Sequence, residues 1–222
     1  MTDRVIRVVL VDDHSVVREG YRRLLERTTD IVVVGEFSTG EDAYMSVPSL
    51  LPDVVIMDIN LPGMSGLEAL RRLTLKIPDQ KVLMFSMHED VVFASRSMQT
   101  GAKGYVTKSS APQVMVEAVN MIANGKLYIS EAMAQELASQ LSSQSKSKIE
   151  SLSAREFEVF RLLVGGYTVN EVSNLLHLSY KTVANYQSGI KAKLEVSNAA
   201  QVVKLGLDHG FIFSPDESET RD

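Results

Sequence analysis

Five short segments rich in Val, Ile and Leu recur along the first half of the chain, at residues 5–11, 31–37, 54–57, 82–85 and 104–107. β-branched residues in short apolar runs favour extended backbone, and near-continuous apolarity is the pattern of strands covered on both faces. Each run is separated from the next by a stretch long enough for a helix and too long for a hairpin turn. Consecutive strands joined in that way are parallel. This repeat therefore predicts an α/β domain with a doubly wound, five-stranded parallel sheet over residues 1–128. The intervening segments carry helix signals. Ser65 with Glu68, and Ser110 with Gln113, have capping-box spacing, Val17, Tyr21, Leu24 and Leu25 form an apolar stripe, and Gly125 is placed to stop the fifth helix.

The pattern changes after Tyr128. A short helical stretch runs into Ser, Gln and Lys residues over 140–148, so 129–148 reads as a linker with a short helix. Beyond it come four short helical segments without a strand signal, two opened by further capping boxes, Ser153 with Glu156 and Thr168 with Glu171. Residues 149–213 thus read as a small all-α domain, and 214–222 as an acidic, solvated tail. The chain has no cysteine, and its four histidines show no ligand spacing, which excludes a disulfide framework and a Cys-based zinc site. No apolar run reaches the ~20 residues that span a bilayer, so a soluble, cytoplasmic protein without membrane association is expected.

In an open parallel sheet, ligands bind outside the carboxyl ends of the strands. The first strand ends in Asp12 and Asp13, the third in Asp58, the fourth in Ser86 and the fifth in Lys108. Three carboxylates on one rim must hold protons or share a cation, and hard oxygen donors suit Mg²⁺. A cation there would leave Asp58 able to act as a nucleophile towards a phosphate donor. Lys108 supplies a positive charge for a phosphoryl oxygen, and Ser86 a hydroxyl. His14 and His88 read as loop or helix-start residues beside this set.

The stretches "LVDDH", "VVIMDINLPGMSG", "MFSMHE" and "GAKGYVTKS" resemble, in order and spacing, the receiver domain of two-component response regulators, a flavodoxin-like fold. The resemblance implies that Asp58 is the aspartyl-phosphate acceptor, and that Asp12, Asp13, Asp58 and the backbone carbonyl of Asn60 hold Mg²⁺. It further implies that Ser86 and Lys108 meet the phosphoryl group and that Tyr105 is the switch aromatic.

In the second domain, "TVNEVSNLLHLSYKTVANYQSGIKAKL" has the layout of a helix-turn-helix, its second helix opened by Ser179. The net charge of −5 argues weakly against nucleic acid, but between Glu171 and Glu195 the only charged residues are Lys181, Lys191 and Lys193. On the second helix Val183, Ile190 and Leu194 share a core face, while Lys181, Ala184, Asn185 and Ser188 share a short-chained face without acid, as a helix in a major groove requires. Asn185, Ser188 and Ala184 are the candidate base-reading residues; Lys181, Thr182, Lys191 and Tyr186 suit phosphates. The segment "LSAREFEVFRLLVGGYTVNEVSNLLHLSYKTVANYQSGIKAKLEV" resembles the LuxR-type helix-turn-helix of NarL/FixJ response regulators, with "VNEVS" similar to their GacA/UvrY-like branch. Tyr186 departs from the histidine usual at its position.

Together these imply a transcriptional response regulator, not an enzyme, phosphorylated by a sensor histidine kinase and binding double-stranded DNA as a homodimer, with RNA polymerase a further candidate partner. The helix over residues 198–209, with Val202, Val203 and Leu207, is the candidate dimer contact in the output domain, burial in its own domain being the alternative. Two other functional readings remain open at this level: a DNA-binding regulator controlled by a protein partner without phosphate, and an aspartate-nucleophile phosphohydrolase. The last usually needs a second acid two residues after the nucleophile, where this chain has Asn60.

Overall fold

A computed structural model describes residues 5–87, 91–142, 148–176 and 178–208. His88, His177, His209 and the acidic tail lie outside the described residues. The chain divides into two compact units, Met1–Gln144 and Ser145–Asp222.

In the first unit, β1 (Ile6–Val11), β2 (Ile31–Phe37), β3 (Val54–Asp58), β4 (Lys81–Ser86) and β5 (Gly104–Thr107) alternate with α1 (Ser15–Glu26), α2 (Gly40–Leu50), α3 (Gly66–Lys76), α4 (Val91–Thr100) and α5 (Pro112–Ala123). The strands form one parallel sheet in the order β2-β1-β3-β4-β5, as the repeat predicts. Strand order reverses at β1, which pairs with β2 on one side and β3 on the other, so the crevice at the carboxyl ends opens between β1 and β3.

Both sheet faces are covered. Ile6, Val8 and Leu10 of β1, Val54 and Ile56 of β3, and Leu83 and Phe85 of β4 share a buried cluster with Leu25 of α1 and Met115, Ala118, Val119 and Ile122 of α5. Tyr21 of the predicted α1 stripe meets Phe85 edge-on, with ring centroids 4.6 Å apart. The alternate residues Val9, Val55, Met57 and Met84 are buried as well, on the side that the period of two turns towards α2, α3 and α4.

Two local expectations are corrected. Ser110 and Gln113 form no capping box: α5 begins at Pro112 with Ala111 at its N-cap. Pro112, with its fixed φ, takes the first helical position, and the Ser110 hydroxyl is instead 2.8 Å from the Thr107 hydroxyl. Ser65 does cap α3 by accepting the Glu68 N–H, but the Glu68 carboxylate turns to Arg71 and Arg72 rather than back to the cap. Gly125, at φ +79°, ends α5 as expected; its N–H reaches the carbonyl of Ile122 while Lys126 N–H reaches that of Met121, a Schellman pair that needs a left-handed residue.

The first unit also extends past the expected boundary at 128. Tyr128 pairs with the outer edge of β5, its N–H donating to Lys103 O and its carbonyl accepting from Tyr105 N–H, both at 3.0 Å. The following helix, α6 (Glu131–Ser142), lies against α4 and buries Met133, so the short helix read as part of the linker is packed on this unit.

The second unit opens with a 3₁₀ turn, Lys148–Ser151, followed by α7 (Ala154–Val164), α8 (Val169–Leu175), α9 (Tyr180–Leu194) and α10 (Ala199–Asp208). Both predicted capping boxes form, Ser153 with Glu156 and Thr168 with Glu171. Ile149, Phe157, Phe160, Val172, Val183, Ile190, Leu194 and Val202 are buried in this unit. Gly206 permits a close contact of α10 with α7, since a Cβ there would lie 2.4 Å from the Val164 side chain.

Candidate functional site

The switch in strand order places the ends of β1 and β3 side by side, and the residues after those strands converge as expected. Asp12 and Asp58 are buried, at 4% and 2% exposure, while Asp13 stands at the rim. Lys108, after β5, reaches back between the buried pair. Its ammonium lies 2.7 Å from Asp58 Oδ2 and 2.6 Å from Asp12 Oδ2, with its own side chain 8% exposed. Its backbone is tied to the neighbouring strand by an N–H bond to Ser86 O at 2.7 Å. Ser86, the last residue of β4, and Tyr105, the second residue of β5, are fully buried.

Electrostatics follow from that packing. Burial raises the Asp58 pKa above the usual carboxylate range; attraction to Lys108 opposes this, and the Asp12 charge adds to it. Burial alone would depress the Lys108 ammonium, but the combined attraction of Asp58 and Asp12 outweighs it and holds its pKa above the ordinary lysine value.

The acidic set is suited to a hard cation. One donor atom each from Asp12, Asp13, His14 and Asp58 lies within 4.8 Å of all the others, while an Mg²⁺ shell of radius about 2.1 Å spans about 4.2 Å. Asp12 Oδ2 is buried with the Lys108 charge beside it and no hydrogen bond of good geometry, which leaves lone pairs for a further positive partner. Asn60 donates its N–H to Asp58 Oδ1 at 3.2 Å, where the phosphohydrolase reading would need an acid.

Some participants were not legible as such. His14 is N-cap of α1, and its Nδ1 is 2.8 Å from Asp13 Oδ1 and 3.3 Å from Asp12 Oδ1, so it belongs to the cluster. Arg18 holds the Asp12 carbonyl through Nη1. Residue type and adjacency flag His14 in the sequence; nothing flags Arg18 before α1 is placed.

In the second unit the helix-turn-helix comprises α8 and α9, and the Ser179 hydroxyl at the start of α9 caps Thr182 N–H at 3.1 Å. Val183, Ile190 and Leu194 face the core, at 0%, 0% and 2% exposure. Lys181, Asn185 and Ser188 are exposed, and Thr182, Ala184, Tyr186 and Lys191 half-buried. The Ser188 hydroxyl donates to Ala184 O, so towards a ligand it offers its lone pairs first. Lys193, also in the basic segment, is held by Glu156 at 2.6 Å. Tyr180, unassigned from sequence, is 60% exposed at the first position of α9. On α10, Val202 is buried against its own domain and Leu207 is 51% exposed, so the two halves of the expected contact point differently.

Comparison with known proteins agrees with this geometry. Residues 8–120 match the response regulator receiver domain, and residues 150–205 match the luxR family of bacterial regulatory proteins. The chain is 40% identical over 208 residues to the response regulator UvrY of Escherichia coli strain K12, covering 93% of this chain and 95% of UvrY. It is 39% identical over 210 residues to the response regulator GacA of Pseudomonas aeruginosa strain PAO1, covering 94% and 98% of the two chains. A solved structure of RcsB from Salmonella enterica serovar Typhimurium, bound to the promoter P1flhDC in the presence of the phosphomimetic BeF₃⁻, matches with a TM-score of 0.67 at 25% identity, over 90% of this chain and 97% of that one.

Proposed function

Since the chain belongs to the two-component response regulators that join a receiver domain to a luxR-type DNA-binding domain, we propose that it is switched by phosphorylation of Asp58 and that α9 reads its DNA site. The observation that carries the reading is the buried bridge of Lys108 between Asp58 and Asp12. In the proposed step an Asp58 oxygen attacks the phosphorus of the donor, a sensor histidine kinase, and the bond from phosphorus to the donor's leaving group breaks, its electron pair departing with that group. Lys108 exchanges its contact with Asp58 Oδ2 for a phosphoryl oxygen, and so keeps a buried anion paired throughout. Asp12, Asp13, Asp58 and the Asn60 carbonyl would hold Mg²⁺, which when bound supplies charge neutralisation to the phosphoryl oxygens. Ser86 offers a hydroxyl to the added charge of roughly −1.5 to −2, and Tyr105 follows its movement.

On the output side, Asn185, Ser188 and Ala184 face base edges while Lys181, Thr182, Tyr186 and Lys191 meet phosphates. One short helix reads only a few base pairs, and Lys193 is already engaged by Glu156, so tight binding calls for two copies on one site, where their occupancy is read by RNA polymerase. RcsB is described on promoter DNA with a phosphomimetic, which supports the same coupling here.

The test is labelling with a small acyl phosphate in the presence of Mg²⁺. One phosphoryl group per chain, absent in Asp58→Asn, is the expected result; labelling that survives the substitution overturns the assignment.

A further inference from the structure

The loop that follows Asp58 is fixed from outside by two residues of α2 that lie far from it in sequence. Glu41, in the first turn of α2, accepts the backbone N–H of Met64 through Oε1 at 2.7 Å. The same oxygen lies 2.7 Å from where a Cβ on Gly63 would stand, and Gly63 has φ +70°. Its neighbour Gly40 sits so close to Met64 that a Cβ there would be 2.5 Å from the Met64 carbonyl oxygen. At its far end the loop folds onto its own start: Gly66 N–H bonds Ile59 O at 3.0 Å, and a Cβ on Gly66 would overlap the Asp58 carbonyl. Between these points lie the N–H of Asn60, which orients Asp58 Oδ1, and the Asn60 carbonyl.

We infer that Glu41 is a positioning residue for the phosphoacceptor site, setting the Asp58–Gly66 loop through its bond to Met64 N–H. Turns without a regular ladder hold their shape through individual hydrogen bonds, and a carboxylate on a backbone N–H is among the stronger ones. Without it the loop samples other arrangements. Affinity for a cation that needs the Asn60 carbonyl and an aligned Asp58 then falls by the fraction of time the loop is correctly formed. Glu41 touches neither the cation nor the phosphoryl group, so its effect is on occupancy rather than on chemistry.

The inference rests on Asp58 being the phosphoacceptor beside a cation site, and the experiment separates the two. Direct Mn²⁺ or Mg²⁺ binding by titration calorimetry, and acyl phosphate labelling, are measured on the full chain for wild type, Asp58→Asn, Glu41→Ala and Glu41→Gln. Absence of labelling in wild type defeats the functional reading itself. Given labelling of wild type and none of Asp58→Asn, Glu41→Ala is expected to weaken cation binding roughly five- to tenfold, with the labelling rate restored at saturating cation. Glu41→Gln keeps a carbonyl oxygen for Met64 N–H and is expected to recover most of the affinity. Thermal unfolding checks that each variant is folded, and Gly63→Ala, which crowds the same oxygen, gives an independent variant expected to behave like Glu41→Ala. Cation affinity at the wild-type value in folded Glu41→Ala, or Glu41→Gln as impaired as Glu41→Ala, overturns the inference.

Discussion

Replacing Lys108 by Met keeps most of the side-chain volume and removes only the charge from a site where two buried carboxylates depend on it. The Asp12, Asp58 and Lys108 side chains are 5%, 2% and 8% exposed, so solvent screens the change little. Breaking a buried pair by deleting one partner costs about 3–5 kcal/mol. Here an upper bound follows from proton uptake. A carboxylate with an ordinary pKa near 3.9 can be neutralised at pH 7 for about 4 kcal/mol, at 1.36 kcal/mol per pH unit, so the loss is expected at about 3–4 kcal/mol. Removing the lysine raises the folded-state pKa of Asp58 further, beyond the rise that burial already causes. A carboxyl with a raised folded pKa contributes stability that is present below its unfolded pKa and is lost as pH rises through the folded one. The variant's deficit relative to wild type therefore shrinks to at most about 1.5 kcal/mol by about pH 5 and grows towards neutrality. Millimolar Mg²⁺ supplies the missing positive charge and should also narrow the deficit. Urea unfolding of both proteins across that pH range, with and without Mg²⁺, measures it, and the transition that responds to Mg²⁺ identifies the receiver. A deficit indifferent to both pH and Mg²⁺ would refute the argument, because it would make Lys108 a packing residue.

Two further outcomes concern the output domain. Asn185→Ala should lose roughly 1–3 kcal/mol on the preferred duplex and little on scrambled DNA, whereas Lys181→Ala and Lys191→Ala should weaken both and lower the salt slope by about one unit each. Binding across a salt series decides, and equal losses on both duplexes for Asn185→Ala would put the wrong face of α9 in the groove. Tyr180→Ala, at the exposed start of α9, is expected to weaken DNA binding without changing the melting temperature of the unit. Glu156→Ala should destabilise the second unit by about 1–2 kcal/mol, since it opens the capping box and frees Lys193. Burial pushes the Glu156 carboxyl up, but its bonds with Lys193 and Ser153 outweigh this and hold it below the usual range. Its contribution is thus present at neutral pH and lost as pH falls through that depressed value, so wild type and variant should converge in acid. A constant gap at every pH would assign the loss to helix propensity instead.

The strands, their order of appearance and the residues that end them were legible in the sequence because each depends on short-range signals. A run of β-branched residues fixes extended backbone, and the length of the intervening segment fixes parallel pairing. With pairing known, Asp12, Asp58, Ser86 and Lys108 had to arrive at one rim, and they do. The core face of α9 was equally legible, since Val183, Ile190 and Leu194 follow helical period.

What the tertiary structure alone decided are choices among partners of similar local merit. Ser110 could cap a helix or join Thr107; α5 starts at Pro112 with Ala111 as its N-cap, which leaves Ser110 to Thr107. Glu68 could complete a capping box or pair with two arginines on its own helix, and it pairs with the arginines. The segment after Tyr128 has a linker's composition, yet an unpaired edge of β5 and a surface on α4 were waiting for it. Lys108 finds Asp58 across fifty residues, and Glu41 finds Met64 across twenty-three. Periodicity reports which face of an element is apolar; it carries no information about which carboxylate a lysine will reach, or which loop a glutamate will hold. Those pairings exist only once the sheet has brought the ends of its strands together and burial has made an unpaired charge too costly to leave.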